Sequence, residues 1–339
     1  MSIADYHATA GDWRAQLKQN ERKTRRVIAL FFLVYIIVGL IADTFILQSM
    51  YPRISLEQSF LALISFKFVP LATLLMVVFA AISLMITYAF YDRIMLLGTE
   101  YREITPESAQ TVQEKQLYNV VEEMKVASGL QYMPKVFVIE ADYMNAFASG
   151  YSEKSAMVAI TRGLMEKLDR AELQAVMAHE LSHIRHHDIK LTLMVAVLSN
   201  ILLIVIDVLF YSVIYRRDRR EDNRLLTIII VLRYVLPIIT VLLTLFLSRT
   251  REYMADAGCV ELMRDNEPMA RALLKISQDH ESNAERYAKA YGETPHEQVR
   301  QASYLFDPSH IDPVKSLSSA FSTHPSVEQR LEALGFKRK

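Results

Sequence analysis

Four long apolar blocks constrain this chain more than any other feature. They run over about residues 27–47, 68–91, 191–215 and 225–248. Each reaches the roughly 20 residues that a helix needs to cross hydrocarbon. A buried core helix explains one such block, not four. Hydrophobic residues make up 52% of the chain although 22% are charged, because apolar blocks alternate with polar ones. The first block is too long for a signal-peptide core and no small-residue cleavage pattern follows it, so it reads as a retained anchor.

Basic residues give the orientation. Arg14, Lys18, Arg22, Lys23, Arg25 and Arg26 precede the first block, whereas the loop to the second holds only Arg53 and Lys67. The excess places the N-terminus in the cytoplasm, and the second block returns the chain there. The expected organisation is a cytoplasmic N-terminal segment (1–26), two transmembrane helices (27–91, as 27–47 and 68–91), a first polar half (92–190), a membrane hairpin (191–248, as 191–215 and 225–248) and a second polar half (249–339). The hairpin tip, "RRDRREDNR", opposes the positive-inside tendency if both blocks span. Block length favours spanning; a hairpin that dips without crossing is the alternative. Asp43, Asn200, Asp207 and Arg233 lie inside apolar blocks, where charges are paired, functional or snorkelling. Asp207 with Arg233 forms a candidate pair across the hairpin.

The net charge is zero, which argues against nucleic acid as a partner. Cys259 is the single cysteine, so thiolates cannot dominate a metal site; it reads as a small core residue. In the polar part, 135–141 and 156–161 look like short strands, with a strand and turn over "NAFASGYSEKS" between them. "PESAQTVQEKQLYNVVEEMKVASG" looks like a helix closing near Gly129. Asp169 followed by Glu172 is a capping box. The helix it opens carries Leu173, Val176, Met177, Leu181 and Ile184 as an apolar stripe.

That amphipathic helix holds "AHELSHIRHHD". His179 and His183 are i and i+4 and share a face, so both imidazoles can converge on one ion. Glu180 sits at the edge of that face, within reach of a water on the metal. Two histidines and a glutamate in this spacing are the zincin arrangement. A catalytic zinc takes a third protein ligand. The metzincin solution needs Gly where the chain has His186 and His where it has Ile189. The other solution is a glutamate on a second helix with an aspartate four residues on. "SRTREYMADAG" after the fourth block supplies Glu252 and Asp256, i and i+4. Glu252 is the candidate ligand, and Asp256 the acceptor of a ligand histidine's N–H, His179 being the partner expected. The two halves of the site flank the hairpin, so both ligand helices are expected to leave the bilayer on one side.

With these residues in place, the sequence resembles the HtpX family of membrane-bound zinc metalloproteases, relatives of the CAAX prenyl endoprotease. The carrying stretches are "NAFASG" (145–150), "AHELSHIRHHD", "SRTREYMADAG" and "FSTHPSVEQRLEAL" (321–334). The resemblance covers roughly residues 70–339; the family's common "THPP" reads "THPS" here. It implies an α-helical membrane protein with four transmembrane helices and a mixed α+β, gluzincin-like zincin domain. It implies one zinc ion per chain, held by His179, His183 and Glu252, with Glu180 as the general base. It also implies that Asn145, Ala146, Phe147 and Ala148 form an edge strand that pairs with substrate, and that His324 and Arg330 lie near the metal. The activity implied is cleavage of damaged or misassembled membrane proteins and unfolded polypeptides, at the bacterial inner membrane, with the active site facing the cytoplasm.

His186, His187, His280, His296 and His310 carry no partner pattern and read as surface residues. Residues 278–310 read equally as a cover over the cleft or a surface loop. Two rival functions stand beside the main one. A site-specific processing protease would share every residue of the site. A non-proteolytic zinc-bound scaffold would have no use for Glu180.

Overall fold

The computed structural model describes residues 3–8, 13–51, 53–96, 100–150, 152–215, 223–287, 305 and 324–338. The arginine-rich tip at 216–222, most of the expected cover, His296 and His310 lie outside these residues. The chain divides into two compact units. One comprises residues 1–24, 88–191 and 245–339, the other residues 25–87 and 192–244.

The second unit is helical. It draws on α1 (Trp13–Met50), α2 (Leu56–Ile64), α3 (Leu71–Leu96), α7 (Asp188–Tyr215) and α8 (Asn223–Met263). Among the described residues, three helical segments are long and apolar enough to cross a membrane: Leu17–Met50, Met194–Ile214 and Leu226–Met263. The second apolar block contributes a shorter apolar stretch, Leu71–Thr87. Its helix starts only after Pro70, whose carbonyl accepts the Leu74 N–H at 3.0 Å. Tyr35, Val38, Phe45, Met76, Leu202, Ile206 and Leu236 belong to one apolar cluster.

The charges inside the apolar blocks have specific partners. Asp43 is buried and caps the start of α3. Its carboxylate accepts the N–H groups of Ala72 (2.6 Å) and Thr73 (3.0 Å) and the Thr73 hydroxyl (2.7 Å). The first amide groups of a helix have no partner in their own helix, and hydrocarbon offers none. Asp207 and Arg233 approach to 3.2 Å, and the guanidinium also lies over the Phe210 ring.

The first unit is the mixed α/β part. Its four-stranded sheet has the order β2 (Tyr101–Ile104), β3 (Lys135–Ile139), β5 (Met157–Thr161), β4 (Ala146–Ser149). β3 and β5 are parallel; the other two pairings are antiparallel. β4 is therefore an edge. Thr161 donates its N–H to the Asn145 carbonyl. By the alternation of an antiparallel ladder, Ala146 and Ala148 turn their main-chain groups away from β5.

α4 (Val112–Ser128) opens on a capping box, Thr111 with Glu114, and closes at Gly129, whose φ of 74° suits a residue without Cβ. α5 (Arg162–Lys167) is a short turn. α6 (Arg170–Arg185) opens on the Asp169–Glu172 capping box. The sequence suggests an amphipathic α6, yet every residue from Ala175 to Ile184 is buried. α4, β4 and α9 (Glu267–Ser282) all pack against it. A small ribbon pairs β1 (Tyr6–Ala8) with β6 (Phe336–Arg338), which follows α10 (Val327–Ala333). The N-terminal segment, without a role in the sequence, thus pairs with the far end of the chain.

His280 corrects the surface reading. It is fully buried, Nδ1 lies 2.9 Å from the Ile276 carbonyl, and its ring meets Tyr287 edge-on. An apolar face of α9 carries it inward, which the lone histidine did not reveal. His186 is half-buried and His187 exposed. Cys259 is fully buried, with its thiol 3.2 Å from the Ala175 carbonyl.

Candidate metal centre and edge strand

α6 presents His179 and His183 on one face, and α8 brings Glu252 to them. One donor atom from each of the three lies within 4.8 Å of the others, and all three residues are buried. The two Nε2 atoms are 3.2 Å apart. Glu252 Oε2 is 3.6 Å from His179 Nε2, and Oε1 is 3.6 Å from His183 Nε2. A tetrahedral zinc with bonds of about 2.0–2.1 Å spaces its donors by about 3.3–3.4 Å. The donor set and its spacing therefore fit zinc.

A carboxylate sits behind each imidazole. Asp256 Oδ1 is 3.0 Å from His179 Nδ1, and Asp188 Oδ2 is 2.7 Å from His183 Nδ1. Each holds the N–H on Nδ1 and turns a lone pair on Nε2 inward. The role of Asp188 was missed in the sequence. α6 ends at Arg185 and the chain turns at His187, where φ is 54°, and this returns Asp188 toward His183. The signal was an acid just past a histidine helix, but only the turn gives it a direction.

Arg330 is buried and grips Asp256 with two parallel bonds, Nε to Oδ2 at 2.9 Å and Nη2 to Oδ1 at 2.6 Å. Its Nη1 donates to the Leu305 carbonyl at 2.9 Å and lies 3.4 Å from Glu252 Oε2. Burial disfavours its charge, but Asp256 and Glu252 raise its pKa further above the ordinary arginine value. His324 is buried with Nδ1 3.5 Å from Glu252 Oε2. The structure thus brings His179, His183, Glu252, Asp256, Arg330 and His324 together.

Glu180 is buried, and its Oε2 has no hydrogen-bond partner among the described residues; the same holds for Glu252 Oε2. Burial pushes the Glu180 pKa above the usual carboxylate value, although His179 and His183 pull it down. Burial also works against charge on His179, but Asp256 and Glu252 outweigh it and push that pKa up to about 9. Glu180, Asp188, Glu252 and Asp256 are four buried carboxylates; Arg251 and Arg330 are the two buried guanidiniums beside them. An ion at this place requires neutral imidazoles; four carboxylates less two guanidiniums then leave two negative charges, which a divalent cation balances, and a proton on His179 offsets part of that charge when no ion is bound.

The Asn145–Ala148 stretch is fully buried. The Asn145 side-chain oxygen accepts the Ala146 N–H at 3.0 Å. The Ala146 carbonyl, on the open edge, accepts the Leu305 N–H at 2.9 Å. The sequence carried no signal for Leu305.

Residues 111–336 match the profile of peptidase family M48. The chain is 39% identical over 318 residues to the Protease HtpX homolog of Helicobacter acinonychis (strain Sheeba), covering 94% of this chain and 96% of that protein. It is 38% identical over 251 residues to the Protease HtpX homolog of Dictyoglomus thermophilum, covering 73% and 76%. Among solved structures it is similar to the crystal structure of S. mikatae Ste24p, at a TM-score of 0.49 and 20% identity, over 92% of this chain and 66% of that one. With the family profile spanning most of its length and HtpX homologues matching almost end to end, the chain belongs to peptidase family M48, among the HtpX-type membrane metalloproteases.

Proposed function

We propose that the chain is a zinc-dependent endopeptidase of the bacterial inner membrane that cleaves damaged or misfolded membrane proteins on the cytoplasmic side. The observation that carries this reading is the buried His179–His183–Glu252 cluster with Glu180 beside it. His179, His183 and Glu252 hold the ion. When bound, zinc supplies Lewis acidity and lowers the pKa of water toward about 7. Glu180 takes the proton of the attacking water and passes it to the leaving amine. Its raised pKa suits both halves of that task. Asp188 and Asp256 keep the two imidazoles in register. Arg330 and His324 supply N–H groups for the charge that develops on the scissile carbonyl oxygen.

The β4 edge supports a substrate class. A strand edge binds a polypeptide through main-chain hydrogen bonds, which depend little on side-chain identity. Such a site suits extended, unfolded segments. A scaffold role gives no reason to hold Glu180 in a buried position where its ionisation is opposed.

Glu180→Gln tests the reading. Purified in detergent, the variant should keep stoichiometric zinc and lose casein cleavage by at least about 100-fold. Cleavage at the wild-type rate would sink the mechanism. Loss of zinc would mean that Glu180 is itself a ligand.

A further inference from the structure

Leu305 is far from β4 in sequence, yet its backbone is held at both ends beside the metal centre. Its N–H donates to the Ala146 carbonyl at 2.9 Å, on the open edge of the sheet. Its carbonyl accepts from Arg330 Nη1 at 2.9 Å, and that nitrogen lies 3.4 Å from Glu252. The residue itself is 1% exposed and belongs to the main apolar core.

We propose that Leu305 occupies, as a substrate mimic in cis, a subsite that takes a large aliphatic residue of a bound polypeptide, with Ala146 and Arg330 as its two main-chain clamps. The inference rests on the endopeptidase reading and adds a side-chain preference and an internal competitor to it.

Donor bookkeeping carries the argument. An arginine has five N–H donors in a fixed fork. Nε and one Nη2 donor go to Asp256, so the fork cannot swing away to follow another partner. Nη1 is then held in a buried place, aimed where Leu305 presents its carbonyl. A buried charged donor left unpaired is costly, so whatever displaces Leu305 must bring a carbonyl of its own. The edge makes a matching demand. Asn145 takes the Ala146 N–H, which leaves the Ala146 carbonyl as that residue's remaining group for a partner. A main-chain N–H therefore meets Ala146 while the carbonyl of the same residue meets Arg330. Any amino acid that adopts the bent backbone of Leu305 satisfies both. The apolar surroundings of the Leu305 side chain select a large aliphatic one, because a polar group there would be buried without a partner.

The test reads binding and turnover separately. A fluorescently labelled peptide with the sequence of residues 300–310 is titrated against the full-length, zinc-loaded Glu180→Gln protein in detergent. The same titration is run on Leu305→Asp and Leu305→Gly in that background. Removing the buried side chain that seats the competitor should tighten the peptide by about tenfold, the lower end of what burying a leucine is worth. A peptide with Asp in place of its leucine should not bind. In the active background, Leu305→Gly should lower KM for a quenched peptide, with kcat and zinc content unchanged. Equal peptide affinity with and without Leu305, or weaker binding with a lower Tm, would overturn the proposal and make Leu305 a core residue. The expected binding pattern without cleavage by the wild type would leave the subsite standing and sink the endopeptidase reading. Cleavage with KM unmoved by Leu305→Gly would do the reverse.

Discussion

At the scale of single residues, the centre is held by carboxylates that act through other groups. Asp188 and Asp256 each touch the far nitrogen of a candidate ligand histidine. Deleting such a partner typically weakens a metal site by about 10–100-fold, less than deleting a ligand. Asp188→Ala and Asp256→Ala should therefore fall in that range, and Glu252→Ala below both, when zinc retention is followed through dialysis against graded chelator. Equal retention by Asp188→Ala and the wild type would show that the Asp188 contact carries nothing. Glu180 makes a prediction of opposite sign for stability. Burial raises its folded pKa above the 4.5 of a free glutamate. A raised carboxyl pKa means that stability is lost as pH rises through the folded value. Metal-free Glu180→Gln should thus melt higher than the metal-free wild type at neutral pH, and the gain should vanish below about pH 4.5. Calorimetry at both pH values checks it, and a lower Tm at neutral pH would contradict the burial argument.

At the scale of elements, the centre exists because α6 and α8 approach closely. Gly258 lies on α8 two residues past Asp256, and a Cβ there would come within 2.5 Å of the Ser182 hydroxyl and 2.9 Å of its Cβ. Ser182 is in turn tied to the Ala178 carbonyl at 2.8 Å. Next to it, Cys259 places its thiol against the Ala175 carbonyl. Small residues thus set the spacing at which Glu252 meets His179 and His183. Gly258→Val should force the helices apart, lose zinc under mild chelation and destabilise the fold by roughly 1–3 kcal/mol, as overpacking does. Gly258→Ala should do so less, since it adds one carbon rather than three against Ser182. Zinc content and thermal melting of the two variants would check this, and wild-type zinc affinity in Gly258→Val would refute it.

At the scale of the whole molecule, α8 runs unbroken from Asn223 to Met263 and contains Pro237. One element therefore carries both an apolar block and Glu252, the candidate ligand. The proposed topology has six basic residues holding the N-terminus inside and a full hairpin placing its tip outside. In a Cys259→Ala background, a cysteine replacing Asn223 should be labelled from outside the cell by an impermeant thiol reagent, and one replacing Glu293 should not. Labelling of the Asn223 position only after the membrane is opened would mean that the hairpin dips without crossing. The His179–His183–Glu252 cluster would survive that outcome, because the helices that carry it would still emerge on the same side.

The sequence by itself determined what depends on local periodicity. A 3.6-residue repeat puts His179 and His183 on one face, and the same repeat aligns Glu252 with Asp256. Apolar length marked the blocks, and a paired acid marked the cap at Asp169. What joins distant residues was decided only by the tertiary structure. Asp188 reaches His183 through a left-handed turn, Leu305 reaches an edge strand, β1 finds β6, and Asp43 finds the open end of another helix. The physical reason is shared by the Asp188, Leu305 and Asp43 contacts. Each contact satisfies a buried polar group left over by its own element, and nothing in the neighbouring residues says which distant partner will supply the missing donor or acceptor.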